Sequence, residues 1–431
     1  MSFPDGEGRR TRRPKAMLGI ALALALALIL TLAACGGDDS DGSGAASDGG
    51  SSAKGTPIKI GNVGSYSGPV SSSLLPLKLG TELWVKVVND AGGINGHPIE
   101  LITADDGADA AKGLTAVRKL VEQDKVVAIV GHGSAVEASW GKYVEEKGIP
   151  VIGGSPTSVS FITSPMFFPS ATTLVPLYYG TLALAKQNGP KFAFLYCVEG
   201  VPCKTAAEFS KDIGNQIGVQ TVLSTAISAS QPDFTAVCQA VKQSGAQSYE
   251  VGHASAVLIK VSDACHAQGV DAKIIAVSNT PSSDFLKSPG SNGALIAENN
   301  APFFVDSTPA TKEYRDAIAK YQPDWDNAED TAGASYGWIA GKLFEAAVKA
   351  SGSDTVTTES VLNGLYSLPA GETLGGLAPP LTFTKGKPAK ANCYFVYGIE
   401  DGKYTLPQGI KTSCAPDDIV TQILRDYFDV E

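Results

Sequence analysis

The chain has 431 residues, of which 43% are hydrophobic and 18% charged, and its formal net charge is −10. These values exclude a disordered chain, which would be poorer in apolar residues, and a coiled coil, which would be richer in charge. A single core rarely grows past roughly 250–300 residues, so at least two domains are expected. The acidic balance argues against a nucleic-acid partner, because phosphate binding needs clustered Lys and Arg.

The first segment reads as an address. Arg9, Arg10, Arg12, Arg13 and Lys15 precede an apolar run over 16–34 that ends Leu32-Ala33-Ala34-Cys35. A basic stretch, an apolar stretch and small residues before a cleavage point make an export signal over residues 1–34. The Leu-Ala-Ala-Cys ending resembles the bacterial lipobox, which makes Cys35 the expected lipidation site. A plain membrane anchor is the competing reading, since the run is barely long enough to span, but an anchor has no reason to end in this tetrapeptide. Loss of 1–34 removes five basic and two acidic residues and takes the net charge from −10 to −13. Residues 36–55 are almost entirely Gly, Ser, Asp and Ala. With Cys35 they make up a lipidated, flexible tether over 35–56, of roughly 20–25 Å span.

From residue 57 onward, short apolar runs alternate with amphipathic stretches. Strands are expected over 58–63, 98–103, 126–130 and 149–152, with helices over 74–89, 108–121 and 134–147 between them. A second series starts after Pro176, with helices over 177–187, 205–217, 234–244 and 254–267. Its strands are expected over 191–196, 221–227, 247–251 and 273–278. Helices return over 312–321, 329–350 and 359–365. The tail carries strands over 392–399 and 403–406, joined by the turn signal Glu400-Asp401-Gly402. Wholly apolar strands separated by helices imply parallel sheets covered on both faces.

Beyond Cys35, six cysteines remain: Cys197, Cys203, Cys238, Cys265, Cys393 and Cys414. In an exported chain they read as up to three disulfides with fifteen possible connectivities. Neighbour pairing closes the shortest loops and is the expected one, with buried free thiols as the alternative. No Cys-x-x-Cys pair marks a metal site.

In an open parallel sheet, ligands sit beyond the carboxyl ends of the strands. The loops there are Gly64-Ser65-Tyr66-Ser67-Gly68-Pro69, Gly131-His132-Gly133-Ser134 and Gly153-Gly154-Ser155-Pro156-Thr157-Ser158, all rich in Gly and hydroxyls. Hydroxyl donors beside helix starts suit an anionic group such as a carboxylate; simple helix capping is the alternative use of the same residues. A dinucleotide fingerprint is not completed, because Val136 stands where a third Gly or Ala is required and no acid follows for a ribose. The 153–157 stretch lacks the last Gly of a nucleophile elbow. Of the four histidines, His132 and His253 lie on strand-exit loops, whereas His97 and His266 read as surface or packing residues.

Taken with the flanking segments, these loops carry a specific resemblance. The lipobox, the tether, the 64–69 loop, the stretch from Asn89 through Gly92-Gly93-Ile94-Asn95-Gly96 to Leu101, and Asp105-Asp106 together resemble the branched-chain amino-acid-binding proteins of ABC importers. The resemblance covers nearly all of the chain from residue 57. It implies a type I periplasmic-binding α/β fold: two doubly wound, Rossmann-like lobes joined by a three-strand hinge. Lobe 1 would comprise 57–175 plus 280–389, lobe 2 would comprise 176–279 plus 390–431, and the crossings would fall near 174–176, 278–281 and 388–391. It also implies a carboxylate held by positions matching Ser134, Ser155 and Thr157; Ser65, Tyr66 and His132 are further candidate ligand residues from the strand-exit loops themselves. The lobe-2 positions that hold an ammonium group in the family carry Val201 and Ala256 here. Glu199, Glu250 or His253 would have to substitute, or the ligand carries no ammonium. The expected function is an extracytoplasmic, lipid-anchored binding protein that delivers a small amino acid, organic acid or amide to an ABC permease at the outer face of the membrane. It is expected to be monomeric, with no catalytic residue, metal or cofactor. A ligand sensor of the same fold without transport, or an extracytoplasmic enzyme, are the alternatives.

Overall fold

The computed structural model describes residues 55–430 apart from 69, 200, 279–282 and 326–327. The signal segment 1–34, Cys35 and the tether up to residue 54 lie outside the described residues. In chain order the first series is β1 (Ile58–Gly64), α1 (Ser71–Asp90), β2 (Ile99–Asp105), α2 (Ala110–Glu122), β3 (Ile129–His132), α3 (Gly141–Lys147), β4 (Val151–Gly154), α4 (Ser160–Thr163) and β5 (Phe167–Phe168). The second is α5 (Leu174–Asn188), β6 (Lys191–Cys197), α6 (Val201–Ile217), β7 (Gln220–Ile227), α7 (Thr235–Ser244), β8 (Ser248–Gly252), α8 (Ser255–Ala267), β9 (Lys273–Val277), α9 (Ser283–Lys287) and β10 (Ala294–Glu298). There follow α10 (Pro309–Tyr321), α11 (Ala328–Ser351), α12 (Thr358–Ser367), β11 (Cys393–Glu400), β12 (Lys403–Thr405), β13 (Ser413–Cys414) and α13 (Asp417–Phe428).

The first sheet has strand order β2-β1-β3-β4-β5, all parallel. The second repeats that order as β7-β6-β8-β9-β10, again parallel, then adds β11 and β12 antiparallel at its edge. Each sheet is apolar on both faces. In the first lobe Ile60, Trp84, Trp338 and Phe344 fill one side, and Val117, Trp140, Val151 and Phe167 fill the other. In the second lobe α5, α6 and α13 pack on one face, around Phe194 and Phe209, and α7 and α8 pack on the other, around Val251 and Val261. Burial on both faces is why these strands read as continuous apolar runs. The architecture is therefore the expected pair of doubly wound lobes.

Several local choices explain themselves. Asp109 caps α2, accepting from the Ala111 and Lys112 amides at 2.9 Å, and Thr308 opens α10 with a capping box ahead of Pro309. The Gly92–Gly96 stretch is a tight reversal: Ile94 and His97 exchange both backbone hydrogen bonds at 2.9 Å, and a Cβ on Gly93 would lie 2.1 Å from the His97 carbonyl oxygen. The turn plants Ile94 in the core. Its glycines therefore serve folding, whatever the motif says of family. The helix expected over 134–147 is split, because Trp140 has φ −125° and ψ −11°, which ends a short 3-10 turn before α3 begins.

Three chain crossings link the lobes. Thr172 Oγ1 lies 2.9 Å from Asn299 O and 2.5 Å from Cys393 O, while Asn299 Nδ2 donates to Thr172 O at 2.6 Å. The second crossing comes at 299–301 rather than 278–281, because β10 inserts beside β9 in the second sheet. Residues 283–298, assigned to lobe 1 by sequence, thus belong with lobe 2. The six cysteines bond as neighbours, 197–203, 238–265 and 393–414, all in the second lobe.

Helices α1 and α11 touch backbone to backbone. A Cβ on Gly80 would sit 1.8 Å from Ala334 O, and one on Gly337 would sit 1.9 Å from Leu77 O. Gly80→Ala or Gly337→Ala is expected to cost about 1–3 kcal/mol by forcing the helices apart, read as a lower midpoint in urea unfolding. An unchanged midpoint contradicts this packing.

Candidate functional site

Because both sheets have the same strand order, each reverses its winding once, between β1 and β3 and between β6 and β8. Such switch points are where open α/β sheets receive ligands. The sequence-predicted residues lie at these exits, but their side chains go to different places.

Ser65 is fully buried and donates to Asp106 Oδ1 at 2.6 Å, while Ser134 donates to Asp106 Oδ2 at 2.6 Å. Ser65 Oγ also accepts the Ala135 amide, and Ser134 Oγ accepts Trp140 Nε1. One carboxylate thus holds both hydroxyls inside the lobe, and neither is presented to a ligand. Tyr66 donates its hydroxyl to Asn62 Oδ1 at 2.5 Å, and its ring lies against Gly64 and Gly133. Burial raises its pKa well above the usual phenol value. His132 is also turned inward, ringed by Trp140, Phe161 and Phe167 at 5.5–6.2 Å. Neither of its ring nitrogens has a partner, and burial lowers its pKa to about 3. It is a neutral core residue rather than a cleft residue.

Ser155 and Thr157 remain at the surface of the cleft. Ser155 lines a small cavity of about 40 Å³ together with Ser72, Ser73 and Leu77 of α1, Gly333 and Tyr336 of α11, and Ser255 of α8. Two lobes contribute, and the polar members are hydroxyls. Thr157 lines a neighbouring chamber of about 250 Å³ whose other walls are mainly Leu174, Tyr178, Phe194 and Val277 of the second lobe. Ser158, in the same loop, is 8% exposed, and its Oγ has no partner.

On the second lobe, Glu199 accepts the Ala229 amide at 2.8 Å, Ser228 Oγ at 2.9 Å and His253 Nε2 at 3.0 Å. The Ala229 amide first, then the Ser228 hydroxyl and His253, hold its pKa down at about 2. His253 Nδ1 accepts the Ala254 amide at 2.8 Å, which assigns the proton of the neutral ring to Nε2 and points it at Glu199. His253 lines the chamber; Glu199 steadies it. Glu250 lies deeper: it is 1% exposed, opposite Phe194 in the sheet register, and its Oε1 has no partner. Burial raises its pKa well above the ordinary carboxyl range.

A latch adjoins the cavity. Ser278 Oγ lies against both Glu298 Oε1 and the Tyr336 hydroxyl, and Tyr336 also bonds Glu298 at 3.1 Å. Glu298 and Ser278 belong to the second sheet's strand ends, whereas Tyr336 is on α11 of the first lobe. Sequence reading missed this set and missed Ser72, Ser73 and Ser255. The Ser71-Ser72-Ser73 run before an apolar helix was the available signal; Tyr336, inside an apolar helix, offered none. No cluster of three or more metal-ligating side chains occurs among the described residues.

Comparison with known proteins agrees with this geometry. The profile of a family described as periplasmic binding protein matches residues 57–403. The Leu/Ile/Val-binding protein homolog 1 of Brucella suis is 27% identical over 361 residues, covering 79% of this chain and 91% of the relative. A branched-chain amino acid ABC transporter structure from Thermus thermophilus with bound valine superposes with a TM-score of 0.75 at 15% identity, covering 87% of this chain and 99% of the other. A fatty acid ABC transporter substrate-binding protein from Thermomonospora curvata superposes with a TM-score of 0.68 at 20% identity, covering 86% and 95%.

Two buried groups near the cleft pull stability in opposite directions. Burial raises Glu298 to about 7, so its folded state keeps a proton that the unfolded chain releases, and stability falls as pH rises from about 4.5 to about 7. His132, lowered to about 3, contributes stability that grows as pH rises toward 6.5. Glu298→Gln removes the first slope and keeps a hydrogen-bonding side chain. The variant is expected to gain on wild type by up to about 3 kcal/mol between pH 5 and 8, measured by urea unfolding at both pH values. A difference independent of pH overturns the assignment.

Proposed function

The chain belongs to the periplasmic binding protein family, and we propose that it is a lipid-anchored extracytoplasmic receptor that captures a small carboxylate-bearing solute between its lobes and hands it to an ABC permease. The observation that carries this reading is the cleft wall: Ser155, Thr157 and the exposed Ser72 and Ser73 at the start of α1 converge where two lobes meet. Hydroxyls and the positive end of a 20-residue helix favour an anionic oxygen pair. The names of its relatives, which bind Leu, Ile and Val or belong to amino-acid and fatty-acid ABC transporters, support a carboxylate-bearing ligand.

Capture requires two conformations. A ligand touching Ser155 on one lobe and the chamber wall on the other favours the closed arrangement by its differential contact, which is the only way a ligand shifts such an equilibrium. The three crossings are few and short, so bending there moves each lobe as a body. The expected export signal and Cys35 supply the address at the membrane beside a permease, and no catalytic step or cofactor is needed.

Two tests address the reading. A thermal-shift screen of the full-length protein over amino acids, organic acids and amides should find a ligand that raises the melting temperature with concentration. Against that ligand, Ser155→Ala with Thr157→Ala is expected to weaken binding by a few kcal/mol, about 100-fold; unchanged affinity removes both hydroxyls from the site. Separately, Cys35→Ala should abolish incorporation of labelled palmitate in bacterial cells and free the protein from the membrane fraction. Labelling that persists in the variant overturns the anchor.

A further inference from the structure

The second-lobe wall of the cleft narrows the chemical class of the solute. Its chamber is built from Leu174, Tyr178, Phe194 and Val277, with Val159 of the first lobe at the rim, 37% exposed. Thr157, His253 and the Tyr178 hydroxyl are the polar side-chain groups of the lining. An amino-acid ligand would bring an ammonium group into this space, and a desolvated ammonium needs a carboxylate to accept its protons; an aromatic face alone returns less than desolvation costs.

Of the acids near the described wall, Glu199 and Glu298 are bonded within the protein and Glu250 is buried. Glu199 accepts from three donors, the Ala229 amide, Ser228 and His253. His253 has spent both nitrogens, donating from Nε2 to Glu199 and accepting the Ala254 amide on Nδ1. Glu298 is held in the Ser278–Tyr336 latch. Glu250 is paired with Phe194 in the sheet register and is 1% exposed, and burial raises its pKa well above the ordinary carboxyl range, which favours its neutral form. The first-lobe side is different in kind: Ser155 and Thr157 face the cleft, and the Ser158 hydroxyl next to them is buried without a partner.

We infer that the solute is an amine-free monocarboxylate with an apolar body, its carboxylate on the 155–158 loop and its hydrocarbon or aromatic part in the Leu174–Tyr178–Phe194–Val277 chamber. This rests on the reading of the cleft as a solute site and deepens it.

Leucine and 4-methylpentanoate share one carbon skeleton and differ only in the α-amino group, so the pair isolates the question. Both, with hexanoate and benzoate, are titrated into the full-length protein by calorimetry. At least one amine-free acid is expected to bind, with 4-methylpentanoate at least tenfold tighter than leucine. Leucine binding as tightly or more tightly overturns the inference and leaves solute capture standing. Binding of none of the four overturns the inference, and failure of the wider screen as well overturns capture itself. Val159→Asp adds an acid at an exposed position on the chamber rim. It is expected to shift the affinity ratio at least tenfold toward leucine, whereas Val159→Ser leaves the ratio unchanged. An unmoved ratio in Val159→Asp rules out the chamber as the seat of the ligand's body.

Discussion

Everything about the cleft depends on the side-chain and backbone pairing at the crossings between the lobes. Thr172 and Asn299 hold one another, and Thr172 also reaches Cys393, so the three crossing segments form one buried hydrogen-bonded seam. Each bond contributes only about 1 kcal/mol net, but an unmade one would leave a buried polar group at a cost of about 1–3 kcal/mol. The seam is therefore difficult to rearrange internally. The Ser278–Glu298–Tyr336 latch sits beside the seam and touches the hydroxyl cavity through Tyr336. The hydroxyl-lined cavity, the latch and the crossings are contiguous.

A second constraint sorts the polar residues of the strand exits. Ser65, Ser134 and Ser155 are alike in sequence context, each following a parallel strand and a glycine-rich turn. What separates them is Asp106, at the end of β2. Its two carboxylate oxygens draw Ser65 and Ser134 inward and leave the 155–158 loop as the free hydroxyl surface of the first lobe. On the second lobe, Glu199 does the same for His253 and the 228–229 turn. A carboxylate that collects donors in this way, buried as at Asp106 or exposed as at Glu199, ties the loops around it together.

The legibility of the chain follows the same physics. Strands buried on both faces show as uninterrupted apolar runs, so β1, β3, β4, β6, β8 and β9 are readable without structure. β10 follows a helix of only five residues, so it does not show as one more step of the strand–helix alternation, and β5 has two residues. That shortfall moved the second crossing by about twenty residues in the sequence reading. The neighbour pairing of cysteines was readable because short loops cost least to close. Of the eight candidate ligand residues, Ser155, Thr157 and His253 line the cleft, whereas Ser65, Tyr66, His132 and Ser134 are spent inside the lobe and Glu199 acts through His253.

By itself the sequence determined the class of fold, the two lobes, the family and the existence of hydroxyl-rich strand exits, because periodicity, turn chemistry and short motifs are properties of neighbouring residues. Only the tertiary structure decided which hydroxyls line the cavities at the strand exits, where the chain crosses between lobes, and that the second-lobe wall of the chamber is mainly apolar. Those outcomes depend on partners far away in the chain, such as Asp106 for Ser134 or Tyr336 for Glu298, and a side chain's availability is set by the partner that reaches it first.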